Sequence, residues 1–170
     1  VGYIGGGTES PGIRLAGSSG AIPVRALKSL WPPFVGKGAR NWVVENLHDG
    51  VVSEARFSVD IRPDEIASAI RGKPLPPRAY ELDFNVEDVS FSYLGDMPPV
   101  SGADATARLN PKVFDLSLTG PADLNVGRGR IAVTGGRFYV DDLRPEPAIG
   151  QITLGLSGDA AAISELLNYE

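Results

Sequence analysis

The chain has no cysteine, one histidine and one methionine among its 170 residues. Without cysteine there is no disulfide framework, zinc ribbon or thiol nucleophile. One imidazole cannot build a site that needs two, which removes the HExxH metal pattern. Positive charge is in deficit: 16 Lys and Arg stand against 21 Asp and Glu, for a net charge of −5. That is the wrong sign for a nucleic-acid surface. No apolar run approaches the roughly 20 residues of a membrane span, and the basic, apolar and small-residue regions of a secretory signal are missing. The chain starts at Val1 and its one methionine is Met97, so we expect a segment of a longer protein. Its length suits a single domain or two very small ones.

Glycine and proline are plentiful, with 21 and 14 residues, well above the usual roughly 12% of a chain. Hydrophobic residues make up 42%, enough for a core, so wholesale disorder is excluded. The dominant signal is alternation. In SEARFSVDI, Ala55, Phe57, Val59 and Ile61 share one face while Glu54, Arg56, Ser58 and Asp60 share the other. That is the two-residue period of a half-buried strand. YELDFNV repeats it with Tyr80, Leu82, Phe84 and Val86 inside. The apolar phase then slips to Val89, Phe91 and Tyr93, which predicts a bulge near Glu87–Asp88. Ala103 to Leu109, Phe114 to Leu118, Asp123 to Val126, Arg130 to Thr134, Arg137 to Val140 and Gln151 to Ser157 are further strands. Gly2 to Gly5 and Gly12 to Gly17 are weaker ones. Asp49-Gly50 signals a hairpin, and Asn110-Pro111, Gly120-Pro121 and Gly135-Gly136 signal turns or bulges. Such closely spaced strands pair mainly antiparallel.

Helical spacing is confined to three places. Residues 22–48 form a helical part, with Leu27, Leu30, Trp31 and Phe34, then Ala39, Trp42, Val43 and Leu47, at helical intervals, broken at Pro32-Pro33. Pro63 to Arg71 reads as a short helix opened by proline and ended by Gly72. Residues 159–168 form a C-terminal helix with Asp159 as N-cap. Between them, residues 51–157 hold the alternating strands, and KPLPPR (Lys73 to Arg78) is an extended connection.

Motifs for chemistry are weak. Gly127-Arg128-Gly129 with Ala132 fits a loose dinucleotide loop, but the following residues alternate as a strand, where that loop must open a helix. Gly5-Gly6-Gly7 and Gly36-Lys37-Gly38 lack the partners of a phosphate loop, and Gly17-Ser18-Ser19-Gly20 is too short for a nucleophile elbow. His48 beside Asp49 reads as a general base or as a residue at a helix C-terminus. Asp60, Asp64, Glu65, Glu87, Asp88, Asp141 and Asp142 read as surface carboxylates without metal-loop spacing. Trp31, Phe34 and Trp42, interleaved with Lys28, Lys37 and Arg40, suit either a lipid interface or a helix packed on the sheet. RFSVDIRP at Arg56 returns as RFYVDDLRP at Arg137, either a repeated unit or two similar half-buried strands. No metal or cofactor site is expected, and no catalytic residue.

Many short strands with one apolar face each must hide that face. A β-sandwich, a barrel, or a curved antiparallel sheet forming an open apolar groove all satisfy this, and periodicity does not choose among them. A resemblance does. LWPPFVGKGARNWVVENLHDGVVSEARFSVDI from Leu30, FNVEDVSFSYLGDMPPVSGADATARL from Phe84, and GRIAVTGGRFYVDDL from Gly129 resemble segments of AsmA-like proteins of Gram-negative bacteria, above all the large YhdP-type members of this bridge-like lipid-transfer superfamily. The resemblance covers most of Leu30 to Ser157 and carries no catalytic signature. It implies a mainly β fold with a few short helices and the open groove. It also implies a periplasmic location, with inner-membrane anchoring by a segment outside this chain, and phospholipid as the partner. The expected function is to bind or conduct acyl chains between inner and outer membrane, in support of envelope integrity. The groove candidates are the inward residues Phe57, Val59, Ile61, Leu82, Phe84, Val86, Leu116, Leu118, Ile152, Leu154 and Leu156. The alternative is a structural or protein-binding β-domain.

Overall fold

The computed structural model describes residues 3–5, 10–31, 37–93, 95, 97–126, 129–145 and 148–168. Ten strands form one open antiparallel sheet: β1 (Tyr3–Gly5), β2 (Gly12–Ser19), β3 (Ile22–Pro23), β4 (Leu47–Ile61), β5 (Tyr80–Phe91), β6 (Val100–Leu109), β7 (Phe114–Leu118), β8 (Ala122–Val126), β9 (Gly129–Val140) and β10 (Gln151–Gly158). They occupy eight lanes in an up-and-down order, β1-β2-β4-β5-β6-β7-β9-β10. β3 continues the lane of β2, since both pair with β4. β8 continues the lane of β7, since both pair with β6 and β9. β1 and β10 are the edges, so the sheet is not a closed barrel, and the sandwich alternative falls away because the described residues form no second sheet.

Neighbouring strands keep their apolar residues on one face. Leu82 stands opposite Leu109, which stands opposite Phe114, and Phe114 opposite Val140. The row Phe84–Ala107–Leu116–Phe138–Ile152 runs beside it. The other face carries charges of alternating sign: Arg56, Asp83, Arg108 and Asp115 face one another across four successive lanes. Opposite charges on directly facing residues favour this register over a slipped one, in which like charges would meet.

The long central strands shift phase: β4 pairs irregularly with β5 at three places and β5 with β6 at two, whereas β2 pairs with β4 without a break. β5 carries an extra residue between Val86 and Val89, where Asp88 takes a positive φ of 50°. This is the bulge the phase slip predicts. Asp104 on β6 accepts the Asp88 amide at 3.0 Å. β6 bulges at Ser101–Gly102, β4 near Ser53, and β9 at Thr134 opposite the Gly155/Leu156 step. Between β6 and β9, the Gly120-Pro121 break separates β7 from β8. Each extra residue bends its strand and returns the following apolar residues (Val89, Ala103, Val140) to the inward face. The bulges of β4, β5, β6 and β9 therefore keep the apolar residues of each strand on one face.

Two expectations need correction here. Asp49-Gly50 is not a hairpin: it lies inside the 15-residue β4, as part of an irregular pairing with β5. The glycine is there for its φ of +118° and its close approach to Val89, not to reverse the chain. The helical part of residues 22–48 is also shorter than expected. It consists of α1 (Val24–Leu30) and α2 (Lys37–Asn46), with strand before it at Ile22 and after it from Leu47. The Pro32-Pro33 break and Phe34 lie outside the described residues.

The other helices follow their signals. α3 (Glu65–Ile70) ends at Gly72, whose φ of +89° closes the helix as a glycine C-cap does. α4 (Ala160–Leu167) is capped by Asp159, whose carboxylate accepts the Ala162 amide at 2.8 Å. Its Ala162 and Leu166 are buried, and Gly129 of β9 leaves room for Ala162. Asp159→Ala should cost about 1 kcal/mol, read as a lower urea midpoint with an unchanged slope. The two echoed motifs occupy β4 and β9, where Phe57 and Phe138 both face inward. Only the first leads into a helix, so the strand repeats and the unit does not.

Candidate functional site

The inward face is covered unevenly. α1 and α2 lie over its middle and α4 over the β8–β9 end. Between helices and sheet runs a narrow cleft lined almost wholly by apolar side chains. Its floor is β5, β6 and β7. Ala105 lies there in register between Val86 and Leu118, so the small side chain leaves space between two larger ones. Leu27 of α1 and Trp42 and Val43 of α2 roof the cleft, and Phe138, Ile152 and Leu154 form its far wall. The Trp42 and Phe138 rings meet with centroids 5.1 Å apart, and Phe138 meets Phe114 edge-on at 5.7 Å. Free volume inside is about 40 Å³, room for roughly three water-sized bodies.

Of the eleven expected groove residues, Phe84, Val86, Leu116, Leu118, Ile152 and Leu154 line this cleft. Phe57, Val59, Ile61, Leu82 and Leu156 do not, although pairing places them on the same inward face. They fall on either side of the helices. Phe57 is 37% exposed and Leu156 36%. Phe84 and Val86 are at the opposite extreme, 6% and 3% exposed, and act as core as much as lining. The groove is thus open at its margins and roofed at its centre.

Trp42, Phe138, Phe114 and Tyr93 are lining residues outside the expected set. Trp42 was legible as a helix residue packing on the sheet, and its ring meets Phe138 of β9; Trp31, at the end of α1, is buried. Phe138 follows Arg137 and precedes Tyr139, so adjacent aromatics hid which one faces inward. Burial raises the Tyr93 hydroxyl pKa above its ordinary value.

Lys28 ties the two roof helices together. Its ammonium donates to the carbonyl oxygens of Val44, at 3.0 Å, and Leu47, satisfying acceptors at the end of α2 where a cation also suits the helix dipole. Arg40 donates from Nε to the Trp31 carbonyl at 3.1 Å. The interleaved basic residues described here therefore serve helix packing.

The outer face is polar and ion-paired. Arg137 donates two hydrogen bonds to Asp115, at 2.8 and 2.7 Å, and holds that carboxyl below its ordinary pKa. Away from the strands, hydrogen bonds from Arg78 lower Glu65 of α3, and those from Arg144 in the loop after β9 bring Asp142 down to about 2. All three are solvent-accessible pairs, each contributing little to stability.

His48 meets Ser92, Nε2 to Oγ at 2.8 Å, a neighbour the sequence did not reveal. The pair is on the exposed surface and lines no part of the cleft, although Leu47, Phe91 and Tyr93 beside it do. Among the described residues no group of three His, Cys, Asp or Glu could hold a metal ion, and no helix is long and apolar enough to cross a membrane. Of the possible dinucleotide loop, Gly127 and Arg128 lie outside the described residues; from Gly129 the chain is strand. Gly17 to Ser19 lie within β2. Of Gly5-Gly6-Gly7, two residues lie outside the described set, as does Gly36. No protein-family model, curated protein or solved structure matches the chain.

Proposed function

We propose that this chain is a non-catalytic segment of a periplasmic AsmA-like protein, anchored in the inner membrane by a segment outside it. Its apolar cleft binds or conducts phospholipid acyl chains on their way between inner and outer membrane, in support of envelope integrity. The observation that carries this reading is the cleft: an apolar trough whose lining is almost wholly hydrophobic, on a sheet face with exposed apolar residues such as Phe57 and Leu156 at its margins. Each methylene transferred from water to such a surface gains about 0.8 kcal/mol. A lining without polar anchors holds a chain without fixing its position, which permits sliding. The charged outer face keeps the same strands in water.

Native mass spectrometry of the chain incubated with phosphatidylethanolamine vesicles tests the proposal. One bound lipid per chain is expected. Ile152→Arg, at a cleft residue that is 44% exposed on the edge strand, should fold normally and reduce the bound fraction several-fold. Absence of any lipid adduct in the unsubstituted chain would sink the reading.

One observation favours a second reading, a protein-binding β-domain. β10 is an edge strand, and seven of its eight residues are exposed, so its backbone is free to receive another strand. Saturable binding of a peptide, lost when proline replaces Thr153 and unaccompanied by lipid, would support that function instead.

A further inference from the structure

We infer that α2 is a lid on the cleft, closed by the Trp42–Phe138 ring contact, and that an unbranched acyl chain enters by lifting it. The inference rests on the cleft being an acyl-chain site. As it stands the cleft has about 40 Å³ free, far short of the volume of a phospholipid acyl chain, so something must move before a chain can lie along it. The floor strands cannot: β5, β6 and β7 are hydrogen-bonded on both sides in the middle of the sheet. The roof can.

α2 is anchored at its C-terminal end and bridged at the other side, and one hydrogen bond nearer its N-terminus, from Arg40 Nε to the Trp31 carbonyl, must break when it lifts. Its C-terminus runs without a break into β4, and the Lys28 ammonium fastens that same end to α1. From there Trp42 reaches across the lanes of β5, β6 and β7 to touch Phe138 on β9. Trp42 is only half-buried, so its own ring leaves its seat at modest cost, and the buried residue uncovered with it is the small Val43. An acyl chain offers Phe138 an equivalent apolar surface, so ring–ring contact is exchanged for ring–chain contact. A closed lid also keeps the trough from lying open to water, or to other chains, when no lipid is present.

Tryptophan itself reports the motion. The chain has two, Trp31 and Trp42, and Trp31→Phe leaves Trp42 alone. With 9,10-dibromostearate, bromine on a chain lying beneath the lid should quench Trp42, and with stearate the emission should move to longer wavelength as the ring leaves Phe138. Trp31 is buried; should its substitution prevent folding, association kinetics decide on the otherwise native chain. Trp42→Ala should speed uptake of a fluorescent fatty acid roughly 2- to 10-fold, the factor that loss of one aromatic pair implies, with Trp42→Phe closer to the parent. Fatty acid bound by mass spectrometry with unchanged Trp42 emission, or an unchanged association rate in Trp42→Ala, overturns the lid and leaves the cleft standing. Absence of binding overturns the cleft reading and the lid with it.

Discussion

Phe84→Arg should leave the chain unfolded, while Phe57→Arg should fold and lose no more than about 1 kcal/mol. The two phenylalanines sit on adjacent strands, on the same face of the sheet, in the same alternating pattern. They differ in what stands opposite. Phe84 is 6% exposed, in a row with Ala55, Ala107 and Leu116 beneath the helical roof. A guanidinium there has no partner and no path to water. An unpaired buried charge costs several kcal/mol, comparable to the whole stability of a small domain. Phe57 lies beyond the roof, 37% exposed, with its ring over Gly17. An arginine at that position can lay its methylenes across the same glycine and keep its charged end in solvent. Circular dichroism and urea titration of the two variants check the contrast. Equal loss in both would mean that the margin is core, and the cleft would lose its access.

Gly50→Ala should cost about 2–5 kcal/mol, combining backbone strain at positive φ with overpacking. Gly50 adopts φ +118°. A Cβ there would fall 2.4 Å from Val89 Cγ1 and 2.8 Å from the Val89 Cα. The second contact is with backbone, so no rotamer change relieves it, and β4 would have to move off β5. Gly95 and Gly72 also have positive φ, but nothing lies within 4 Å of a Cβ at either; alanine at Gly72 should cost less because only the backbone term remains. Paired urea titrations of the Gly50 and Gly72 variants separate crowding from conformational strain. A Gly50→Ala chain as stable as the parent would show that β4 and β5 do not approach this closely.

Much of this architecture was legible along the chain. Alternation at Ala55–Ile61 and Tyr80–Val86 identified strands because a sheet with one wet face sorts its side chains with period two. The slip from Val86 to Val89 located a bulge because only an extra residue can keep both runs on one face. Asp159 marked a helix start because a carboxylate can accept the free amides of a first turn. The misreadings have equally definite causes. Asp49-Gly50 is compatible with any positive φ, and a bulge uses that freedom as readily as a hairpin does. Phe138-Tyr139 offers two aromatics to opposite faces, so local pattern could not say which one meets Trp42.

By itself, then, the sequence determined that the protein is built of half-buried, mainly antiparallel strands with few helices, because periodicity and turn chemistry are local properties of the chain. It also separated an apolar face from a charged one. Only the tertiary structure decided how much of the apolar face is covered, which six of the eleven expected residues line a cleft, and that α2 closes over it through Trp42. Those outcomes depend on lanes that are distant in sequence: Trp42 and Phe138 are brought together across β5, β6 and β7. A side chain's alternation states which way it points, and the packing of remote elements states what it finds there.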